Sequence, residues 1–167
     1  LWSRDSILFV SESGIMTGVG GGRFAPDTEV TRAMFATILY RMAGTSAVTG
    51  QLGFCDVDAG AYYADAVVWA TEMQIMEGYG NGLFGPDDPV TREQVVTLLW
   101  RYNGRPTTES AVLAGFADTE EIGPWATDAF AWAVSLGIVN GCGDGMLAPG
   151  GTATRAEIAQ MIAAMQS

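Results

Sequence analysis

The stretch FGPDDPVTREQ, residues 84–94, reads as the entrance to a helix. Thr91 with Gln94 three residues on is a capping box: the hydroxyl accepts a first-turn N–H while the Gln side chain reaches back to the cap. Arg92 then falls on the first helical position. FAPDTEVTRAM from Phe24 and LAPGGTATRAE from Leu147 repeat the pattern, with Thr31-Arg32 and Thr154-Arg155 in the matching place. Thr154 and Glu157 form a second complete box. Met34 stands third after Thr31, so only the hydroxyl half of that box is present.

Outward from these entrances the register holds. The Thr-Arg pairs lie 60 and 63 residues apart, and upstream of each come glycines in a triplet: Gly18, Gly20, Gly22; Gly78, Gly80, Gly82; Gly141, Gly143, Gly145. Further upstream, YYADAVVWATEMQI aligns with WATDAFAWAVSLGI and with WSRDSILFVSESGI. Self-similarity at a fixed period means three tandem repeats. They are placed at 1–45, 53–104 and 115–167, the first truncated at its N-terminal side, together one compact domain.

Each repeat predicts two helices. In the first helix Ala66, Trp69, Ala70 and Met73, and likewise Ala129, Trp132, Ala133 and Leu136, recur at helical spacing and mark one apolar face. These helices are expected to begin near Tyr62 or Trp125, to carry Asp5, Asp65 and Asp128 at the positive dipole end, and to stop at the glycine loop. In the second helix Phe35, Ile38, Leu39 and Met42 match Val95, Leu98, Leu99 and Tyr102, then Ile158, Met161, Ile162 and Met165. No helix pair this short hides its apolar face alone, so the repeats must pack on one another. Trp69 and Trp132 read as core; Trp100 lies one step off its stripe and fits either core or surface. The openings GFCDV (53–57) and GFADT (115–119) place Phe54 and Phe116 to plug a core and Asp56 and Asp118 to organise a turn. The first repeat has no such opening.

Composition narrows the function. Nearly half the chain is apolar, which suits a packed core rather than disorder. Eight Arg against nineteen acids give a net charge of −11, which disfavours nucleic acid and anionic lipid at long range. A local anion site is still permitted, because an Arg at short range outweighs distant, screened carboxylates. With no His, the commonest general base and metal ligand are missing. No apolar run approaches the ~18 residues that span a bilayer, and no basic-then-apolar signal peptide is visible. Cys55 and Cys142 fit a disulfide or two buried free thiols about equally. The glycine triplets lack the Gly-Lys-Ser/Thr and preceding strand of a phosphate loop.

The ordered set of Phe-x-Asp-Val, an aromatic before a helix, Gly-x-Gly-x-Gly, Phe-x-Pro and Thr-Arg-Ala-Glu resembles the S-layer homology domain, over nearly the whole chain. The resemblance implies an all-α fold: three helix-loop-helix repeats in a pseudo-threefold bundle with grooves between repeats. It also implies an extracellular module of the bacterial cell wall or S-layer, a terminal domain of a longer surface protein. Such a module binds secondary cell wall polysaccharide, often capped by a pyruvylated amino sugar, or peptidoglycan. The family's Arg corresponds to Arg32, Arg92 and Arg155, its aromatic to Trp2, Tyr62 and Trp125, and its opening acid to Asp56 and Asp118. Asn81, Asp144 and Glu157 are grouped with them as groove residues, although the loop residues Asn81 and Asp144 also fit a role of simply shaping the turn. Two departures bear on the grooves: the shortened first repeat with Met34, and Gly150 where Asp27 and Asp87 stand.

The residues themselves leave two readings of each Arg. One is a carboxylate site among free first-turn N–H groups; the other is an ion pair that ties repeats together. The aromatics equally fit a rim that closes the helix or a platform for a sugar ring. Arg92 and Arg155 are expected to matter more than Arg32. No nucleophile with a base and no carboxylate pair points to an enzyme, and no cofactor is implied. The rival class is a protein docking module, calcium-dependent through turns such as DVD at Asp56, although the EF-hand order is absent.

Overall fold

A computed structural model describes residues 2–167; Leu1, the first residue of the first repeat, lies outside them. The described residues contain α1 (Arg4–Glu12), α2 (Arg32–Met42), α3 (Ala64–Glu72), α4 (Arg92–Tyr102), α5 (Thr127–Ser135) and α6 (Arg155–Met165). Two 3₁₀ helices, Ser110–Gly115 and Thr119–Glu121, lead into α5, the second of them following directly on the Asp118 turn. No strand forms among the described residues, so the chain is all-α as expected.

The caps are those the sequence specifies. Thr31, Thr91 and Thr154 hold extended backbone and each accepts from the third helical N–H. The reciprocal side-chain bond is present at Gln94 and Glu157. The first helices end earlier than the glycine triplets. Their chain reverses at Gly14, Gln74 and Gly137, all in left-handed conformation with φ of 73°, 55° and 68°. The last residue of each predicted stripe, Met73 or Leu136, is the C-cap and is exposed, because the helix stops one residue short of it.

Packing runs between repeats. α2 lies against α3, α4 against α5, and α6 against α1, so the second helix of each repeat covers the first helix of the next. Trp69 is buried there, its ring 5.6 Å from Tyr40 of the previous repeat. Trp132 is buried too, whereas Trp100 is half-buried and donates its indole N–H to the Pro106 carbonyl.

A closed ring of backbone hydrogen bonds joins the three repeats at the pseudo-threefold axis. Val30 N–H donates to Ala153 O at 3.1 Å, Ala153 N–H to Val90 O at 3.0 Å, and Val90 N–H to Val30 O at 2.9 Å. All three residues are fully buried and sit just before the capping Thr. The first two N–H groups of each second helix are also taken by a neighbouring repeat. Arg32 and Ala33 donate to Asp88 and Pro86, Arg92 and Glu93 to Gly151 and Pro149, Arg155 and Ala156 to Thr28 and Pro26. Helix ends leave these donors without intrahelical partners, and here the cyclic neighbour satisfies them. The expectation of free first-turn N–H groups around each Arg is therefore corrected.

Asp56 and Asp118 fasten each repeat's opening to its own Phe/Leu-x-Pro loop. Asp56 accepts from Phe84 N and Gly85 N at 2.8 Å each, and Asp118 from Leu147 N and Ala148 N at 2.7–3.0 Å. Phe54 packs on the buried Phe84, ring centroids 5.3 Å apart. Burying Phe84 contributes roughly 1.5–3 kcal/mol. Gly78 has to be glycine here, since a Cβ would come within 2.3 Å of the Phe54 ring.

Candidate functional site: three inter-repeat grooves

Each of the three Thr-Arg arginines is almost fully buried, with its Nε–H donated to the repeat next in the cycle. Arg32 donates Nε–H to Phe84 O (2.8 Å) and an Nη–H to Glu77 O (2.7 Å). Arg155 does the same to Phe24 O (2.8 Å) and Thr17 O (2.6 Å). Arg92 donates Nε–H to Leu147 O (2.9 Å), but its outer nitrogen turns to the Glu157 carboxylate at 3.0 Å. That is the one ion pair among the described residues. Arg32 also lies over the Phe84 and Tyr79 rings, and Arg155 over Phe24, at 4.5–4.9 Å. The arginines thus do tie repeats together, chiefly through backbone carbonyls rather than carboxylates.

The inner side of each guanidinium is spent on this clamp; the outer side lines a groove. Each groove takes its aromatic from one repeat, its Arg from the next and its wall from the third. The Trp2 groove, about 620 Å³, joins Trp2 and Arg92 to Asn140, Thr152, Glu157 and Gln160. The Tyr62 groove, about 360 Å³, joins Tyr62 and Arg155 to Thr17, Met34, Thr37 and Arg41. The Trp125 groove, about 150 Å³, joins Trp125 and Arg32 to Glu77, Gln94, Thr97 and Arg101. Trp2, Tyr62 and Trp125 are 67%, 71% and 51% exposed, so these rings sit on the rim rather than in the core. Tyr62 is braced edge-on against Tyr63, and the Trp125 loop is held by Gly123 N–H donating to Glu93 Oε2 at 3.0 Å. An open aromatic face beside buried guanidinium donors is able to stack a sugar ring while binding an acceptor on it.

Glu157 lines a groove; the other four acidic or amide candidates do not. Asp118 is buried with its oxygens spent on backbone N–H groups. Burial works to raise the Asp56 carboxyl, but the Phe84 and Gly85 N–H groups, with Arg32 nearby, outweigh it and hold it below the usual carboxylate range. Asn81 shapes its own turn by accepting from Leu83 N, and Asp144 is a left-handed turn residue at φ 52°. Among the described residues no three acidic, His or Cys side chains gather as a metal-binding group. Cys55 and Cys142 are free and exposed, neither bonded nor buried.

Sequence reasoning passed over Arg41, Arg101 and Thr97. The first two were visible in the repeat register, each nine residues after Arg32 or Arg92, with Ala164 at the third position. Thr97 reads as one more helix residue, yet its hydroxyl is buried against the Trp125 groove without a hydrogen-bond partner.

Three cyclically closed repeats thus present three like inter-repeat grooves. The S-layer homology domain model matches residues 2–36, 53–96 and 115–159, and the chain belongs to that family. It is 34% identical over 164 residues to an amylopullulanase of Thermoanaerobacterium thermosulfurigenes, covering 96% of this chain and 9% of that protein. It is similar to the S-layer protein sap of Bacillus anthracis (31% identical, 97% of this chain, 20% of that protein). It is also similar to a cellulosome-anchoring protein of Acetivibrio thermocellus (27%, 88% and 34%). The chain thus spans well under half the length of these relatives. The family is that of a cell-surface anchoring module of bacteria. No helix among the described residues is long and apolar enough to cross a membrane.

Proposed function

We propose that this domain anchors its parent protein by binding a cell wall polysaccharide in the three inter-repeat grooves, with a carboxylate-bearing residue such as a pyruvylated amino sugar as the recognised unit. One observation carries the reading: every groove pairs an exposed aromatic with a buried Arg from the following repeat, although these residues are far apart in the chain. The ring stacks on the apolar face of a sugar, and the guanidinium donates to its acceptors. Engaging several grooves on one polymer raises the apparent affinity well above that of a single site.

Because the arginines also clamp the repeats, the informative variants are the rim aromatics. Purified walls, with and without their secondary polysaccharide, are sedimented with the parent domain and with a variant carrying Trp2→Ala, Tyr62→Ala and Trp125→Ala. The parent is expected to sediment only with polysaccharide-bearing walls, and the folded variant to stay in solution. A variant that sediments like the parent removes the grooves from the mechanism. A parent that ignores both walls moves the function to protein assembly.

A further inference from the structure

Every asparagine of the chain, Asn81, Asn103 and Asn140, precedes a glycine. An Asn-Gly pair is able to cyclise: the Gly nitrogen attacks the Asn side-chain carbonyl carbon, and no Cβ on the attacking residue obstructs the approach. The dipeptide is the same at all three positions, but its surroundings are not. Asn103 is the C-cap of α4 and is fastened at both reacting groups. Gly104 N–H donates to Arg101 O at 3.0 Å, and the Asn103 amide nitrogen donates to Leu99 O at 2.8 Å. Asn140 is restrained by its amide nitrogen, which donates to Gly137 O at 3.1 Å, while its carbonyl oxygen meets no donor among the described residues. Donation from the amide nitrogen favours the amide resonance, and so weakens the carbonyl carbon as an electrophile.

Asn81 is arranged the other way round. Its carbonyl oxygen accepts from Leu83 N–H at 3.2 Å, and its amide nitrogen has no acceptor among the described residues. The neighbouring Gly82 N–H has none among them either. A backbone N–H on the carbonyl oxygen draws charge from the carbon under attack and stabilises the oxyanion that forms there. Asn81 and Gly82 are both exposed, so solvent hydroxide reaches the attacking N–H. Gly80 and Gly82 flank Asn81 in left-handed conformation, at φ 81° and 83°, which leaves the turn without a side chain on either side.

We propose that Asn81 is a site of spontaneous self-modification, at which Gly82 N closes a succinimide on the Asn81 side chain with Leu83 N–H as the oxyanion donor, while Asn140 reacts slowly and Asn103 is protected. The Gly82 nitrogen gives its proton to hydroxide and forms a bond to Asn81 Cγ. The Cγ–Nδ2 bond breaks, and ammonia leaves after taking a proton from water. Water then opens the imide at either carbonyl, giving Asp or isoaspartate. Isoaspartate adds a methylene to the main chain inside the loop that Tyr79 N–H closes on Leu83 O at 2.8 Å. The carbonyls of Glu77 and Phe84, on either side of that loop, are the two that hold Arg32. The isoaspartyl product therefore loosens the clamp between repeats one and two, whereas the Asp product keeps both the backbone and the turn.

Peptide mapping by mass spectrometry follows loss of each amide in the whole domain at mildly alkaline pH, folded in buffer and unfolded in guanidinium chloride. In the folded domain Asn81 is expected to react about fivefold faster than Asn140, the factor that one hydrogen bond at the oxyanion supplies, with Asn103 slowest. In the unfolded chain the three rates are expected to converge, because only the dipeptide remains. Equal rates in the folded domain overturn the assignment, as does the same order persisting in denaturant. Asn81→Gln, whose longer side chain would have to close a larger and less favoured imide, is expected to remove most of the ammonia released by the folded domain. A variant that releases ammonia like the parent also overturns it. The isoaspartyl fraction, separated from aged protein, is expected to unfold at a lower urea midpoint than Asn81→Asp. An equal midpoint overturns the loosening of the clamp.

Discussion

Changing Arg32 to Ala tests whether the buried arginines hold the ring of repeats closed. The side chain makes two hydrogen bonds from repeat one to repeat two, at 2.8 Å to Phe84 O and 2.7 Å to Glu77 O. It also lies 4.7 Å from the Phe84 ring centroid. Hydrogen bonds from a charged donor contribute about 1.5–3 kcal/mol each, and a partly desolvated cation–π contact about 0.5–1 kcal/mol. The groove lets water reach the vacated carbonyls, so the lower end of each range applies and the expected loss is about 3–4 kcal/mol. That is a large part of the ~5–15 kcal/mol by which domains are stable. Arg32→Lys keeps the charge but not the planar fork, and one ammonium cannot serve both carbonyls in the same geometry. Its expected loss is about half as large. Urea unfolding followed by far-UV circular dichroism reads both, provided the m-value is unchanged. A loss below about 1 kcal/mol for Arg32→Ala would refute the clamp, as would Arg32→Lys behaving like the parent.

Three further outcomes follow from local geometry. Gln74 occupies the left-handed position that Gly14 and Gly137 fill in the other repeats, so Gln74→Gly should stabilise by about 0.5–1 kcal/mol in the same melt, and a loss would contradict the strain argument. Gly78→Ala should destabilise by about 1–3 kcal/mol through contact with the Phe54 ring, whereas Gly53→Ala, which meets nothing within 4 Å, serves as control. Asp56 has a depressed carboxyl pKa, so its contribution is present above the unfolded carboxylate value and is lost as pH falls through the folded one. Acidification below about pH 5 should lower the parent's urea midpoint more than that of Asp56→Asn, and parallel pH profiles would count against the Asp56 contacts.

The repeat, the helices and the Thr caps were legible because each rests on interactions within a dozen residues. Thr91 finds Gln94 three positions away, and the spacing of Val95, Leu98 and Leu99 marks a face whatever that face later meets. Errors came where a helix end depended on a single turn: Met73 and Leu136 continue the apolar spacing, but the chain has already reversed at Gln74 and Gly137. Asp56 and Asp118 were read both as turn organisers and as groove residues, and their backbone partners, 28–30 residues away, fit the first role.

The sequence by itself determined three like helical units, their caps and the residue types each would show. Only the tertiary structure decided who faces whom. Cyclic closure through Val30, Val90 and Ala153 puts Tyr62, Arg155 and Arg41 of three different repeats into one groove. It also turns Arg92 toward Glu157 and leaves Arg155 beside a second cation. Helix periodicity and capping are short-range backbone physics that each repeat carries whole. The charge of a groove is a sum over side chains that can lie more than a hundred residues apart, and it acquires a value only when the ring closes.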